Sequence, residues 1–291
     1  MTRSDTTPSH ASAEVARQRL LADLPVTERR IELAHIPTAL LEAGEGPPIV
    51  LLHGPGEFAE RWLRVITGLA TTHRVTAPDF PGHGRSGTHR GQLDRDQVFR
   101  WLDALLDECC DRPPIVVGHI LGGAVAARYA AARPNRLERL VLVDSLGLAR
   151  FRPSPRFALG LVGFLARPTD RSHQRFMRQC LADDTTVRES MGDKWDALRE
   201  YSLDRARDPE VKAAMKFFMS ELGVPRIPIT ELEAITVPTS LVWGRHDRAN
   251  RVRIAEDASE RFGWSLHIIE GAADDPPMER PDEFVAAVVG N

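Results

Sequence analysis

Gly118-His119-Ile120-Leu121-Gly122 has the glycine spacing of a nucleophile elbow, G-x-S-x-G, with isoleucine where the reactive hydroxyl would stand. A hydrocarbon side chain cannot attack a carbonyl, so no acyl-enzyme can form on residue 120. The other residues with chemistry to offer are imidazoles and carboxyls: His53 and Glu57 around Gly54-Pro55-Gly56, His246-Asp247 after an apolar run, and the pair Asp274-Asp275. Such groups hold and move protons, which directs the reading toward general acid–base chemistry. No GxGxxG or Walker loop stands in the strand–turn–helix context that a nucleotide needs, and no His/Cys/Asp set has ligand spacing beyond the Asp274-Asp275 pair, which alone is a weak signal, so no cofactor and no metal is expected.

These residues need particular elements beneath them. The apolar run Pro113–Val117 reads as a buried parallel strand, and Ala-rich Leu121–Arg133, ending against Pro134, reads as a helix. Together they frame the turn at residue 120. Glu28–Leu33 and Thr38–Glu42 alternate as an antiparallel hairpin at a sheet edge, and Leu137–Asp144 is a core strand. Helices are predicted over Phe58–Thr71, with Trp62, Leu63, Val65, Ile66 and Leu69 on one face, and over Gln97–Cys110. From Gly147 to about Thr236 there are helical segments and proline breaks without strand-like runs. Met1–His10 is polar and reads as a disordered leader, followed by a short amphipathic helix over Ala11–Leu24.

Four signatures occur in a fixed order: Pro48-Ile-Val-Leu-Leu-His-Gly-Pro-Gly56, Asp79-Phe-Pro-Gly-His-Gly-Arg-Ser86, the elbow, and Trp243-Gly-Arg-His-Asp247. In these the chain resembles the α/β-hydrolase superfamily, in its lid-bearing branch. The resemblance implies an α/β fold with a mostly parallel eight-stranded sheet flanked by helices and a helical lid insertion. The expected domains are 1–25 as leader and short helix, 26–146 and 236–291 as core, and 147–235 as lid. Lids wall the substrate cavity and exclude water.

The resemblance also assigns roles. Asp247 matches the acid of the family triad, and Gly271–Phe284 matches the loop that carries the triad histidine, with Asp274 in the histidine's place. No histidine follows His267. Hydrolysis through that triad is excluded on these grounds, since loss of either nucleophile or base costs several orders of magnitude in rate. Leu121 would keep one oxyanion N–H. Pro55 has none, which leaves Gly56 or Glu57 for the second. Asp247 and Asp274 would meet at one sheet edge, where close carboxyls cannot both ionise, so that one carries a proton. Alternatively Asp274 faces solvent or pairs with Arg245 or Arg248. His119 either faces the cavity as a further catalytic group or is structural; His53 is read as bracing its loop, and His246 as facing away. Glu57 could bind substrate or cap a helix. Ile120 would floor an apolar cavity, with Leu121 and Trp243 among the substrate-contacting residues.

Composition sets the outer limits. A formal net charge of −3, with no cluster of Lys or Arg read against it, gives no basic footprint for nucleic acid. Three cysteines, two adjacent, suit a reducing cytoplasm, and no run approaches the ~18 apolar residues of a membrane span. The expected partner is a small molecule, without nucleic acid or membrane; a homodimer through apolar lid faces is compatible with the sequence, which does not determine the oligomeric state. The expected function is a non-hydrolytic enzyme acting on a small apolar or polyketide-like molecule by cyclisation, elimination, decarboxylation or isomerisation. The alternative is an inactive relative that serves as a binding or partner protein.

Overall fold

The structure, a computed structural model, describes residues 10–88 and 93–290. Strands β1 (Thr27–Leu33), β2 (Ile36–Ala43), β3 (Pro48–Leu52), β4 (Arg74–Pro78), β5 (Ile115–His119), β6 (Arg139–Val143), β7 (Thr239–Gly244) and β8 (Ser265–Ile269) form one sheet, in the order β1-β2-β4-β3-β5-β6-β7-β8. β1 and β4 both run antiparallel to β2, and the remaining neighbours are parallel. The hairpin, the core strand at residue 139 and the strand before the elbow stand where the apolar patterns put them. β3 and β5 have no polar face and are buried throughout, as parallel strands covered on both sides must be.

Helices α1 (His10–Leu21), α2 (Ile66–Leu69), α3 (Arg95–Cys109) and α4 (Leu121–Ala132) precede β6. Between β6 and β7 the described chain is helical: α5 (Pro155–Ala166), α6 (Asp170–Cys180), α7 (Asp184–Met191), α8 (Asp193–Arg207), α9 (Pro209–Phe218) and α10 (Ile229–Glu233). α11 (Arg253–Phe262), α12 (Pro276–Glu279) and α13 (Pro281–Val289) complete the chain. Strand alternation divides the core in two. Val50, Leu52, Val116, Leu142 and Leu241 pack on one face, and Ile49, Leu51, Val117, Val141, Val143 and Val242 on the other.

Two expectations change. The single helix over Phe58–Thr71 is instead a 3-10 turn, Ala59–Trp62, followed by the one-turn α2. Its polar residues are tied to partners outside the segment: the Ala59 N–H to Asp79 at 2.7 Å, Glu60 to Arg17, and Arg61 to Asp275. These ties and the β-branched run Val65-Ile66-Thr67 outweigh the apolar period. The short helix expected over Ala11–Leu24 is α1, which ends at Leu21 and is not amphipathic: its buried face carries Arg17 beside Ala13, Ala16 and Leu20, with the guanidinium paired to Glu60 and Glu28. The disordered leader expected over Met1–His10 falls on residues 1–9, outside the described residues, and α1 begins at His10.

The turn between β5 and α4 keeps the elbow geometry without a nucleophile. Ile120 has φ 49° and ψ −98°, a left-handed conformation that a β-branched residue occupies only under constraint. Its N–H donates to Val143 O at 2.9 Å, and its carbonyl accepts from Leu146 N at 3.1 Å. The flanking glycines are required by contact. A Cβ on Gly122 would sit 2.1 Å from Leu52 O, and one on Gly118 would sit 2.4 Å from the Gly122 carbonyl carbon. Gly122→Ala is therefore expected to lower stability by about 2 kcal/mol or more in calorimetric unfolding. Gly163→Ala, mid-helix in α5 with nothing within 4 Å of its added Cβ, should be neutral or stabilising.

Candidate active site

The C-terminal ends of β3, β5, β6, β7 and β8 converge, the region where open α/β sheets bind ligands. They present His53, the turn at Ile120, Asp144, Asp247 and Asp274. Asp144 closes β6 with φ 43°, and its Oδ1 accepts from Gly244 N at 3.0 Å. Asp247 Oδ1 caps the next turn, accepting from Ala249 N at 2.6 Å and Asn250 N at 2.8 Å. Asp274 is held by its backbone: its N–H donates to Cys180 O at 3.1 Å, and its carbonyl accepts from His119 Nε2 at 2.7 Å.

The outer oxygens of these three carboxyls set the chemistry. Asp144 Oδ2, Asp247 Oδ2 and Asp274 Oδ1 are buried and receive no hydrogen bond from an N–H or hydroxyl donor. The Asp144 and Asp247 carboxyls bear directly on each other, and Asp274 feels the Asp247 charge. Burial, reinforced by the neighbouring carboxylates, drives the Asp144 and Asp274 pKa values well above the usual carboxylate range. Burial also pushes Asp247 up to about 7, against the opposing pull of its two backbone donors. The trio therefore holds protons near neutrality, and its contact pair shares one.

A second, balanced cluster adjoins it. Glu57 Oε2 accepts from Gly54 N at 2.8 Å, and Glu57 Oε1 lies 3.1 Å from Arg61 Nε, whose guanidinium also pairs with Asp275. His119 Nδ1 is 3.7 Å from Glu57 Oε2, an ion-pair rather than a hydrogen-bond distance. Since Nε2 already donates to a carbonyl, both ring nitrogens face acceptors, which favours imidazolium. The His119 pKa rises accordingly: burial lowers it, but Glu57, Asp275 and the Asp274 carbonyl prevail. The Glu57 pKa falls below its ordinary range because Arg61 and His119 together outweigh its burial.

The predicted residues divide clearly. Asp247, Asp274, His119 and Glu57 come together, and Gly56, Glu57 and Ile120 keep partial exposure at the surface of the site. Asp274 is 3% exposed and pairs with neither Arg245 nor Arg248; Arg245 grips Glu270, and Arg248 caps the carbonyls of Gln179 and Leu181. Trp243 is a correction. It is fully buried in the sheet core with its Nε1 donating to Asn250 O at 2.6 Å, because β7 is covered on both faces. The Leu121 side chain is likewise core, and only its N–H, at the first position of α4 and so without an intrahelical acceptor, is placed to act. Of the two oxyanion candidates, the Glu57 N–H is bound to Gly54 O at 3.3 Å, which leaves Gly56.

His53 braces its loop. Its Nδ1 donates to Gly54 O at 2.8 Å and its Nε2 accepts from Phe80 N at 3.0 Å; burial holds its pKa down at about 4. His246 is exposed and lines, with Asp247, Arg248 and Arg251, an open cavity of about 560 Å³. Sequence reasoning missed Asp144, Arg61 and Glu279. Glu279 accepts from Ala273 N and Ala182 N, each at 2.6 Å, and so pins the Asp274 loop to the segment after α6. An acid at the end of a strand that neighbours β7 is the signal that could have found Asp144.

Comparison with known proteins agrees with this geometry. The model of the "Alpha/beta hydrolase family" matches residues 49–287. The chain belongs to this family. As a member of it, the chain is 27% identical over 267 residues to the 2-hydroxy-6-oxo-6-phenylhexa-2,4-dienoate hydrolase of Comamonas testosteroni, covering 84% of this chain and 86% of that one. It is 28% identical over 259 residues to the pimeloyl-[acyl-carrier protein] methyl ester esterase of Aeromonas hydrophila subsp. hydrophila, covering 84% and 95%. The naproxen esterase of Bacillus subtilis superposes with a TM-score of 0.79 at 18% identity, covering 96% of each chain, a likeness of fold alone.

The buried carboxyls make stability depend on pH in this family member. A carboxyl whose folded pKa is raised stabilises the fold below its unfolded pKa of about 4, and that contribution is lost as pH rises through the folded value, about 7 for Asp247. Asp247→Asn keeps the capping Oδ1 and removes the titration. It should therefore be more favourable at pH 8 than at pH 5, by a few kcal/mol on the order of the linkage energy, in urea unfolding. An equal effect at both pH values would remove Asp247 from the protonated set.

Proposed function

We propose that this chain is a non-hydrolytic enzyme that performs acid–base chemistry on a small, largely apolar molecule without a covalent intermediate at residue 120. Cyclisation, elimination, decarboxylation and isomerisation all fit, because each needs a positioned proton and none needs an attacking side chain. One observation carries the reading: at the position where the family holds its base, Asp274 presents a buried carboxyl, neutral by the argument above, whose Oδ1 receives no hydrogen bond. In this account Asp274 is the proton donor, Asp247 and Asp144 are its proton reserve, and the N–H groups of Leu121 and Gly56 stabilise a developing oxyanion. Ile120 supplies an apolar floor. Glu57, with its charge fixed by Arg61 and His119, orients the substrate, and residues 147–235 act as the lid that excludes water.

The relatives named above are hydrolases, and their names concern those proteins. Hydrolysis through an acyl-enzyme needs a nucleophile that Ile120 cannot supply. A second reading has its own support: Asp274 lies beneath the segment that follows α6, through Cys180 O and the Glu279 bridge to Ala182, which suits a protein that binds without turnover.

A fluorophosphonate serine-hydrolase probe tests the proposal. The wild-type chain should remain unlabelled and lack ester cleavage, whereas Ile120→Ser with Asp274→His should be labelled at residue 120 and gain activity. Labelling of the wild type at any residue would overturn the proposal. Native mass spectrometry of a co-purifying ligand separates the two readings: chemical conversion by wild type but not by Asp274→Asn supports the enzyme, and tight binding without conversion supports the binding protein.

A further inference from the structure

Helix α5 carries an apolar face that no described part of the fold covers. Leu159, Val162 and Leu165 are 71%, 62% and 37% exposed, and they are three of the five exposed large hydrophobic residues among the described ones. The opposite face is anchored: Phe157 and Gly160 are buried, with Phe157 and Phe164 packed on Phe176 of α6. The outward apolar residues are therefore a second surface of a helix whose core contacts are already made.

The segment that carries this face is dominated by one sign of charge. Residues 150–178 contain seven arginines and one acid, in a chain whose formal net charge is −3. Arg150, Arg152, Arg156, Arg167, Arg171 and Arg175 are all exposed. None of these six pairs with a described carboxylate, and Asp170, the one acid, is held by Arg199 at 3.0 Å. Arg150 and Arg152 precede α5, Arg156 lies in its first turn and Arg167 follows its C-terminus, while Arg171 and Arg175 lie one turn apart on the adjoining α6. An apolar strip rimmed by unpaired arginines complements a surface that is hydrocarbon at its centre and anionic at its edge. A second copy of this chain fits poorly, since a two-fold contact would bring the same arginines against themselves.

We propose that the α5 face, with its arginine rim, docks on an anionic lipid bilayer, with the helix lying in the interface. Among the described residues no helix is long and apolar enough to cross a membrane, so the contact is peripheral. The expectation of no membrane partner was drawn from the length of apolar runs and saw no Lys or Arg cluster, whereas residues 150–178 hold seven arginines; an interfacial helix is marked by such local charge and one-sided apolarity. The inference does not depend on the chemistry proposed for the buried site.

The test is co-sedimentation of the full chain with large unilamellar vesicles of phosphatidylcholine alone and of phosphatidylcholine mixed with phosphatidylglycerol, with light scattering of the lipid-free protein. Binding should be confined to the mixed vesicles and fall as salt is raised. Arg156→Ala and Arg167→Ala should each weaken it roughly fivefold. Leu159→Glu with Val162→Glu should weaken it by roughly tenfold or more while leaving thermal unfolding unchanged. Wild-type protein that binds neither vesicle overturns the proposal, as does equal binding to both. A lipid-free dimer that the double variant converts to monomer, with no vesicle binding, assigns the face to self-association.

Discussion

Three carboxyl groups meet where β6, β7 and the loop after β8 end, and no arginine or lysine pairs with any of them among the described residues. The carboxyls are buried and the counter-charge lies elsewhere, so full ionisation would cost far more than retaining protons. Much of the local architecture follows from this. The backbone donors of Ala249 and Asn250 compensate one oxygen of Asp247, Gly244 compensates one of Asp144, and the remaining oxygens are left to each other. Glu57, His119, Arg61 and Asp275 stand next to them as a set of two acidic and two basic groups paired with one another. Polar groups this costly and this concentrated mark functional sites more often than structural ones.

The elbow at Ile120 makes a related argument from strain. A left-handed isoleucine is worth roughly 1–3 kcal/mol of destabilisation, and in a working hydrolase that strain presents the nucleophile. Here it persists without one. Contacts at Gly118 and Gly122 show why the turn cannot relax: β3, β5 and α4 approach so closely that the glycine pattern is a condition of packing the sheet. The frame and the reactive group are thus separable. The turn also keeps the Leu121 N–H free of an intrahelical acceptor at the start of α4.

Most of the fold was legible because its cues are local and strong. Unbroken apolar runs give β3 and β5, and steric glycines give the turns that follow them. The helix expected over Phe58–Thr71 failed because Glu60 and Arg61 answer to Arg17 and Asp275, partners distant in sequence that no period reveals. Asp247 and Asp274 could be placed by their flanking residues, whereas Asp144 could not, since an acid at a strand end reads equally as a cap. Trp243 was misassigned for a simpler reason: proximity to Asp247 in sequence says nothing about which side of a doubly covered strand a ring enters. His53 braces its loop as the loop chemistry suggested.

The account stands or falls on a proton held by the carboxyl trio at neutral pH. Infrared difference spectroscopy at pH 7, wild type minus Asp274→Asn, reads it directly through the C=O stretch of an un-ionised carboxylic acid, which shifts on exchange into heavy water. The account predicts such a band in the wild type and its loss in the variant. A spectrum with only ionised-carboxylate bands at that pH would contradict it.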